Sequence, residues 1–364
     1  MLTRRKFFKD VASGTAGVAL LGRDLVGSAL ASSAQQPGAV PRRQVSIGGR
    51  RIKVVDVHAH CSIPEIADVV RGSSLARSGQ AQSTLVLGPA RLQYMDAEGI
   101  DVQALSINAF WYAADRELAR QLIKVQNEKL SAWCAAHPDR FVGLASVALQ
   151  HPDLAAEQLD EAVKKLGLRG AAIGGSVEGE ELSARRFDPF WAKAEELGVV
   201  VFMHPQGAPG TTQNDRLQGK GGLGNTIGNP LETTVFLSHL IFEGTLDRFP
   251  GLKICSAHAG GYLPSYSGRS DALCGRGAGG DCTALKKRPS EYFKKELFVD
   301  TMIFHEEGLR HLVAEMGVSQ MMYGTDYPYD WPVGVDFVLK APFLNDREKE
   351  AILGGNAATL LRIS

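Results

Sequence analysis

The chain has 364 residues, of which 44% are hydrophobic and 22% are charged, and these fractions exclude a disordered chain because they match those of average soluble globular proteins. Lys plus Arg and Asp plus Glu both total 40, so no basic excess is present, which argues against nucleic acid or an anionic membrane surface as a partner. A single domain reaches this length in few architectures, and the α/β barrel with long loops is a common one.

The first 34 residues have the features of an export signal. A basic segment with paired arginines, Arg4 and Arg5, precedes an apolar run from Val11 to Leu21 that is too short to span a bilayer, and small residues follow at 29–34. We therefore predict a twin-arginine signal peptide at residues 1–34, the twin-arginine export machinery as a partner and a periplasmic location. Residues 35–51 are predicted to be a linker.

Beyond the linker, short apolar runs rich in β-branched residues alternate with amphipathic stretches. This pattern is typical of a parallel sheet with crossover helices. Eight strand candidates are present, the number that a closed barrel needs: Ile52–Val57, Val102–Ile107, Phe141–Val147, Gly170–Ile173, Val199–Met203, Lys253–Ala257, Leu297–Thr301 and Gln320–Tyr323. The sequence therefore predicts an α/β fold, a (β/α)8 TIM barrel with extended βα loops, over residues 52–364.

Helical periodicity and three long excursions lie between the strand candidates. The predicted helices are Arg116–Ala136, Leu154–Lys165, Pro189–Leu197, Thr233–Asp247, Glu306–Met316, Arg347–Leu353 and Asn356–Leu361. The excursions at 62–89, 206–230 and 260–289 follow strand ends, so we expect them on the barrel face that carries the active site. The third contains Cys274 and Cys282, and whether these form a disulfide stays open because the sequence does not give their separation.

Polar side chains that bind metals follow four of the predicted strands. His58 and His60 end the first strand and point to one side, because strand side chains alternate. His204, His258 and Asp326 follow strands five, six and eight. Imidazole and carboxylate groups bind divalent metals, and the carboxyl ends of barrel strands share one face. The sequence therefore predicts a metal site at this face.

The same segments carry a family resemblance. His58-Ala59-His60, the Ala-His-Ala-Gly-Gly segment at 257–261 and the Gly-Thr-Asp-Tyr-Pro segment at 324–328 resemble the amidohydrolase superfamily, over most of the predicted domain. Residues 95–101, 186–191 and 240–244 resemble the branch of aminocarboxymuconate semialdehyde decarboxylase, which holds decarboxylases and hydrolases. The resemblance implies a metal bound by His58, His60, His204 and Asp326, with His258 as an acid/base at or beyond the edge of the ligand set.

The resemblance also implies that Arg269 binds a substrate carboxylate, reaching across the interface of a homodimer. A guanidinium group suits this task because it offers a planar fork of donors. The alternative is a surface ion pair, for which Asp271 is a candidate partner. The sequence alone leaves both open.

The end of the fourth strand distinguishes one metal from two. Binuclear members of the superfamily need a bridging lysine or carboxylate there, whereas this chain has Ala-Ala-Ile-Gly-Gly-Ser at 171–176, with Glu178 nearby. Zinc is the first choice for the ligand set, and manganese, iron and cobalt also fit. Hydroxybenzoate decarboxylases usually carry Glu-x-His in the first pair, so His58-Ala59-His60 favours the aminocarboxymuconate-like and hydrolase members.

These features predict a metal-dependent carboxy-lyase acting on an unsaturated or aromatic-derived carboxylic acid. The metal would lower the pKa of a bound water to about 7, and His258 would transfer protons. A hydrolase of an ester, amide, lactone or carbon–carbon bond needs the same residues and is the alternative, which export favours slightly. A non-catalytic periplasmic binding protein is expected to have lost a ligand or the acid/base, and neither is missing.

Overall fold

A computed structural model describes residues 41–207, 216–274, 282, 285–332 and 334–364. The predicted signal peptide lies outside the described residues, so export remains a prediction. Within the described part, no helix has both the length and the apolar character needed to cross a membrane.

Eight parallel strands form the centre of the domain, and all eight predicted strands are confirmed, the fourth with the predicted boundaries and the others with shifted or shortened ones. They are β1 Val55–His60, β2 Val102–Ser106, β3 Phe141–Gly143, β4 Gly170–Ile173, β5 Val200–Met203, β6 Lys253–Ser256, β7 Leu297–Asp300 and β8 Met321–Met322. Nearly all of their residues are buried, as expected for strands covered by side chains inside and by helices outside.

The strands close into the predicted barrel. β1 to β3 and β4 to β8 form two parallel ladders in chain order. The ladders meet at two places: Ala145 pairs with Ala171 between β3 and β4, and Ala59 pairs with Tyr327 between β1 and the segment after β8. Because the order of strands around the barrel follows the chain, the residues at all eight carboxyl ends face one mouth.

Helices surround the barrel. They are α1 Ile66–Val69, α2 Pro89–Glu98, α3 Arg116–Ala136, α4 Pro152–Lys164, α5 Asp188–Leu197, α6 Asn229–Phe242, α7 Thr245–Arg248, α8 Ser267–Cys274, α9 Pro289–Lys295, α10 Glu306–Met316, α11 Val335–Leu339, α12 Asp346–Glu350 and α13 Asn356–Leu361. The predicted helix Thr233–Asp247 is wrong in one respect, because it is split into α6 and α7. Gly244 lies between them with a left-handed φ of 72°, which ends the first helix.

Helix α3 shows how the sequence determines both ends and faces of a helix. The Asp115 side chain accepts a hydrogen bond from the backbone N–H of Leu118 at 2.9 Å, which satisfies a donor that the first turn leaves free. The buried side chains recur at helical spacing and include Leu122, Ile123 and Leu130. Gln126 lies on this buried face although it is polar.

Two further features border the barrel. Residues 46–51, the last part of the predicted linker, form an antiparallel hairpin of Ser46–Ile47 with Arg50–Arg51. Cys274 and Cys282 form a disulfide with their Cα atoms 5.2 Å apart. The long excursion after β6 is therefore covalently closed.

Candidate metal centre

The structure brings the five predicted histidine and aspartate side chains together at the mouth of the barrel. One ligand atom from each of His58, His204, His258 and Asp326 lies within 4.8 Å of the others. His60 adjoins this group, since its Nε2 lies 2.8 Å from Asp326 Oδ1 and 3.1 Å from His58 Nε2. The compact group thus contains His258, which the resemblance places at the edge of the ligand set.

The arrangement fits a divalent metal ion. The Nε2 atoms of His58 and His60 are separated by about the ~3 Å expected for two nitrogens that each lie ~2.1 Å from one ion. Imidazole nitrogens and one carboxylate are the donors that zinc and manganese accept.

Asp300, at the end of β7, organises the centre and was missed by the sequence interpretation. Its Oδ2 accepts hydrogen bonds from His58 Nδ1 at 2.7 Å and from the backbone N–H of His258 at 3.1 Å. Its Oδ1 accepts from the backbone N–H groups of Ala259 at 2.8 Å and Met302 at 3.1 Å. A proton on Nδ1 leaves Nε2 of His58 directed at the group, as in other carboxylate–histidine–metal arrangements. The sequence feature that could have revealed Asp300 is a carboxylate near the end of a predicted strand.

A second buried carboxylate joins β1 to the segment that carries Asp326. Asp56 accepts hydrogen bonds from the Thr325 hydroxyl at 2.6 Å, from the Thr325 backbone N–H at 3.0 Å and from the His58 backbone N–H at 3.0 Å. Gln103 Nε2 donates to it at 2.9 Å. Asp56 therefore links the strand that carries His58 to the segment that carries Asp326. Burial raises the pKa of the Asp56 carboxyl group.

The electrostatics of His60 and His204 favour metal ligation, whereas a metal must displace a proton from His58. Burial lowers the pKa of His58, but the carboxylates of Asp326 and Asp300 outweigh burial and raise this pKa to about 10. Burial alone would raise the pKa of Asp326, but the charge of His58 and the neighbouring imidazoles of His258, His58 and His60 outweigh burial and hold that pKa far below the ordinary value. Burial lowers the pKa of His60 to about 4 and that of His204 well below its ordinary value. Both imidazoles are consequently neutral near pH 7, the form that binds metals.

The backbone of the centre is held in a costly conformation. His258, Ala259 and Asp326 have φ values of 58°, 55° and 55°, in the left-handed region that residues with a Cβ rarely adopt. Such residues cost roughly 1 to 3 kcal/mol each and persist only where the surroundings enforce them. The Asp300 carboxylate supplies part of this enforcement, because it accepts from the N–H groups of His258 and Ala259.

Trp331 contacts a predicted ligand and was also missed. Its Nε1–H donates to Asp326 Oδ2 at 2.8 Å. Trp331→Phe keeps a ring and removes this donor, so we expect metal affinity to fall about 10-fold or more, as for other partners of metal ligands. Trp133→Phe is a matched control, because the buried Nε1 of Trp133 has no partner in the described residues and its loss should leave affinity unchanged. Competition with a chromogenic chelator measures both, and equal affinities would contradict this role.

The end of β4 supports one metal rather than two. Cβ atoms at Gly174 and Gly175 would lie 2.6 Å from the side chains of Gln206 and Glu232, so a larger residue there would require these side chains to move. Glu178 is exposed, with a φ of 51°, in the hairpin that follows β4. It therefore does not reach the centre. Within the described part of the chain, a single group of potential metal ligands is present.

Arg269 is exposed on α8, and no described residue forms an ion pair with it. Asp271, its candidate partner, instead accepts hydrogen bonds from the backbone N–H of Ser290 at 3.0 Å and from the Ser290 hydroxyl at 2.7 Å. The predicted surface pair is therefore absent from the described structure.

A cavity of about 180 Å³ opens beside the centre. It extends from His60 and Tyr329 past Ser62 to Phe110 and Gln126. Its walls come from β1, from the excursion after β1, from the loop after β2 and from the inner face of α3. The cavity provides space for a ligand that also reaches the metal.

Comparisons with known proteins agree with this geometry. The family model described as Amidohydrolase matches residues 55–363. The 2-amino-3-carboxymuconate-6-semialdehyde decarboxylase of Dictyostelium discoideum is 33% identical over 279 residues, which cover 74% of this chain and 75% of that protein. The γ-resorcylate decarboxylase of Rhodococcus jostii is also 33% identical, over 290 residues that cover 75% of this chain and 87% of that protein. Overall identity thus does not separate the two types.

A solved structure shows the same fold. The 5-carboxyvanillate decarboxylase of Novosphingobium aromaticivorans, complexed with manganese and 4-hydroxy-3-methoxy-5-nitrobenzoic acid, superposes with a TM-score of 0.76 at 26% identity. The match covers 86% of this chain and 96% of that chain. The chain therefore belongs to the amidohydrolase family, in the branch that contains these decarboxylases.

Proposed function

We propose that this protein is a metal-dependent, non-oxidative decarboxylase of an aromatic or unsaturated carboxylic acid. The observation that carries the proposal is the compact group of His58, His204, His258 and Asp326 at the barrel mouth, adjoined by His60, in a chain whose relatives are decarboxylases. The left-handed backbone at His258 and Asp326 is typical of active sites and ligand clamps, so it supports a functional role for this group.

We assign the metal to His58, His60, His204 and Asp326. When bound, a divalent metal polarises a substrate oxygen and stabilises negative charge that develops beside it. Zinc is our first candidate from the ligand types, and manganese is the second because a similar carboxyvanillate decarboxylase binds it. Asp300 orients His58 in this set, and Trp331 fixes the outer oxygen of Asp326.

We assign proton transfer to His258. Loss of carbon dioxide breaks a carbon–carbon bond and leaves its electron pair on the substrate carbon, which must then gain a proton. The side chain of His258 is 14% exposed, and its Nε2 lies 3.9 Å from Asp326 Oδ2, so the imidazole borders the centre and remains accessible to a ligand. Its backbone N–H is bonded to Asp300, which keeps the imidazole in place.

A product assay tests this function. Protein loaded with zinc or manganese is incubated with benzoates, hydroxybenzoates and muconates and, separately, with esters, amides and lactones. We expect carbon dioxide from at least one acid, in equal amount to the decarboxylated product. Turnover of an ester, amide or lactone, with no carbon dioxide from any acid, would instead establish the hydrolase.

We further propose that Arg269 binds the substrate carboxylate in the site of a second copy of the chain, since it is exposed and forms no ion pair with a described residue of its own copy. Arg269→Lys keeps the charge and removes the planar fork. Loss of a hydrogen bond to a charged group, roughly 1.5 to 3 kcal/mol, predicts a fall of about 10- to 100-fold in kcat/KM. Arg347→Lys, at an exposed arginine of α12, serves as the control and should retain wild-type kinetics.

Mixing variants distinguishes a role across an interface. If Arg269 acts in a neighbouring copy, Arg269→Lys and His258→Ala chains that are mixed and allowed to exchange should recover part of the wild-type activity, because one site of each mixed pair is intact. Unchanged kcat/KM in Arg269→Lys would reject the clamp, and loss of activity without recovery on mixing would reject its action across the interface.

A further inference from the structure

Helix α6 follows the excursion after β5, and its first turns contact the segments that carry two residues of the centre. Glu232 lies in the first turn of α6, is 3% exposed and bonds to the segment after His204. Thr234, two residues further along the helix, is half-buried and bonds to the segment after His258. Both side chains therefore hold backbone that adjoins the centre, although neither belongs to the centre itself.

The Glu232 carboxylate ties together the ends of two neighbouring strands. Its Oε2 accepts a hydrogen bond from the backbone N–H of Gln206 at 2.8 Å, and its Oε1 accepts from that of Gly175 at 3.2 Å. His204, two residues before Gln206, donates its own backbone N–H to the Ile173 carbonyl at 2.9 Å. The segment that carries His204 is therefore held on both sides of this residue.

Thr234 holds the far end of the turn that begins at His258. Residues 258–261 all have positive φ values, between 55° and 77°. Asp300 holds the start of this turn, since it accepts from the backbone N–H of His258. Thr234 Oγ1 accepts from the backbone N–H of Tyr262 at 2.8 Å, directly after the turn. Because left-handed residues persist only where their surroundings enforce them, loss of the Thr234 hydroxyl should release one end of the turn.

Glycines allow both segments to approach α6 closely. A Cβ atom at Gly175 would lie 2.6 Å from Glu232 Oε1. A Cβ atom at Gly261 would lie 2.2 Å from the Pro230 carbonyl oxygen and 2.6 Å from Thr234 Oγ1. These distances are shorter than van der Waals contact, so a larger residue at either position would require the segment or the helix to move. Both segments are therefore packed directly against the first turns of α6.

We propose that Glu232 and Thr234 are positioning residues with separate tasks, Glu232 for the metal ligand His204 and Thr234 for the proton-transfer residue His258. This inference rests on the roles given to the two histidines in the proposed function. One helix thereby sets the positions of a metal ligand and of the acid/base relative to each other.

Zinc affinity, measured by competition with a chromogenic chelator, tests the task of Glu232 without any substrate. Glu232→Gln keeps the size of the side chain and turns one acceptor oxygen into a donor. We expect zinc affinity to fall about 10-fold, the lower end of the range for partners of metal ligands. Gly175→Ala should weaken binding in the same direction, because its Cβ displaces the same carboxylate. Wild-type affinity in Glu232→Gln, or in Gly175→Ala if the first variant does not fold, would overturn this role.

Turnover of the zinc-loaded protein tests the task of Thr234. Thr234→Val preserves the shape and removes the acceptor, so we expect kcat to fall about 10- to 100-fold through misplacement of His258, with zinc affinity within twofold of the wild type. Thr234→Ser restores the hydroxyl and should restore kcat. Gly261→Ala, which pushes the turn from the Pro230 carbonyl, should resemble Thr234→Val and replaces it if that variant does not fold.

Thr233→Val is the matched control. Thr233 and Thr234 each donate to the carbonyl four residues earlier, at 3.2 Å and 2.7 Å, but among the described residues no backbone N–H donates to the Thr233 hydroxyl. The control should therefore match the wild type in zinc affinity and kcat. Wild-type kcat in Thr234→Val, or a loss of kcat that Thr234→Ser does not restore, would overturn the role of Thr234. Loss of zinc from Thr234→Val would overturn the separation of the two tasks.

A chemical readout keeps this test independent of the reaction catalysed. Modification of His258 by diethyl pyrocarbonate, followed by mass spectrometry of the zinc-loaded protein, should be faster in Thr234→Val and unchanged in Thr233→Val. An unchanged rate in Thr234→Val would count against the proposal even if no substrate were turned over. If the protein hydrolyses an ester, amide or lactone and releases no carbon dioxide, kcat is measured with that substrate. Failure of the proposed function is therefore distinguishable from failure of this inference.

Discussion

His258→Ala is expected to retain close to one metal ion per chain and to lose about 100- to 10,000-fold in turnover, the usual contribution of a general acid or base. His204→Ala is expected to lose both the metal and the activity. The reason is the proposed division of roles, in which His58, His60, His204 and Asp326 provide four ligands and His258 moves a proton. Metal analysis of the purified variants, together with their kcat, measures the two effects separately.

This prediction is a stringent test, because His258 lies close enough to the other side chains to bind the metal itself. His258 has a ligand atom within 4.8 Å of those of His58, His204 and Asp326, so it is near enough to take part in binding. If His258→Ala is purified without metal under conditions in which the wild type retains it, the role is wrong and His258 is a direct ligand. His311→Ala, which changes an exposed histidine of α10 bonded to Ser265, controls for the loss of an imidazole elsewhere.

Asp300→Asn is expected to weaken metal binding by about 10- to 100-fold, the range observed when partners of metal ligands are changed. The substitution preserves size but turns one acceptor oxygen into a donor nitrogen. Each oxygen of Asp300 accepts two hydrogen bonds, Oδ2 from His58 and the His258 backbone and Oδ1 from the backbone of Ala259 and Met302. Whichever oxygen the substitution replaces, the new NH2 group therefore faces two N–H donors and can accept from neither.

The same substitution should also lower the free energy of unfolding by roughly 1 to 3 kcal/mol, since buried donors lose their acceptor. Asp247→Asn is the control: Asp247 accepts from Tyr292 Oη and the Lys286 backbone N–H, and it has no contact with the centre. Asp247→Asn should therefore bind metal with the affinity of the wild type. A metal Kd of Asp300→Asn within twofold of the wild type would contradict the role of this carboxylate.

Much of the fold and the centre could be predicted because both depend on local periodicity. The alternation of β1 places His58 and His60 on one side, and the barrel brings the ends of distant strands together. Helices α3 and α10 begin and end where the sequence predicts, since Asp115 caps the first and the apolar spacing defines their faces. The break at Gly244 was missed because the apolar residues on both sides continue the helical pattern.

The supporting residues could not be predicted in this way, because their roles depend on contacts between distant parts of the chain. Asp300 follows an ordinary strand pattern, and only the folded barrel shows that it meets His58, 242 residues earlier in the chain. In the sequence, Gln126 is only a polar residue within a predicted helix. The structure shows that its side chain is buried and lines the cavity beside the centre. The pairing of Cys274 with Cys282 needed the Cα separation, which the structure supplies.

Titration of the metal-free protein with zinc or manganese, with release of carbon dioxide from a carboxyl-labelled substrate as the readout, tests the central claim most directly. A single mononuclear centre predicts no release without metal, a linear rise with added metal and a plateau at one ion per chain. Release by the metal-free protein, or a plateau only at two ions per chain, would contradict the account.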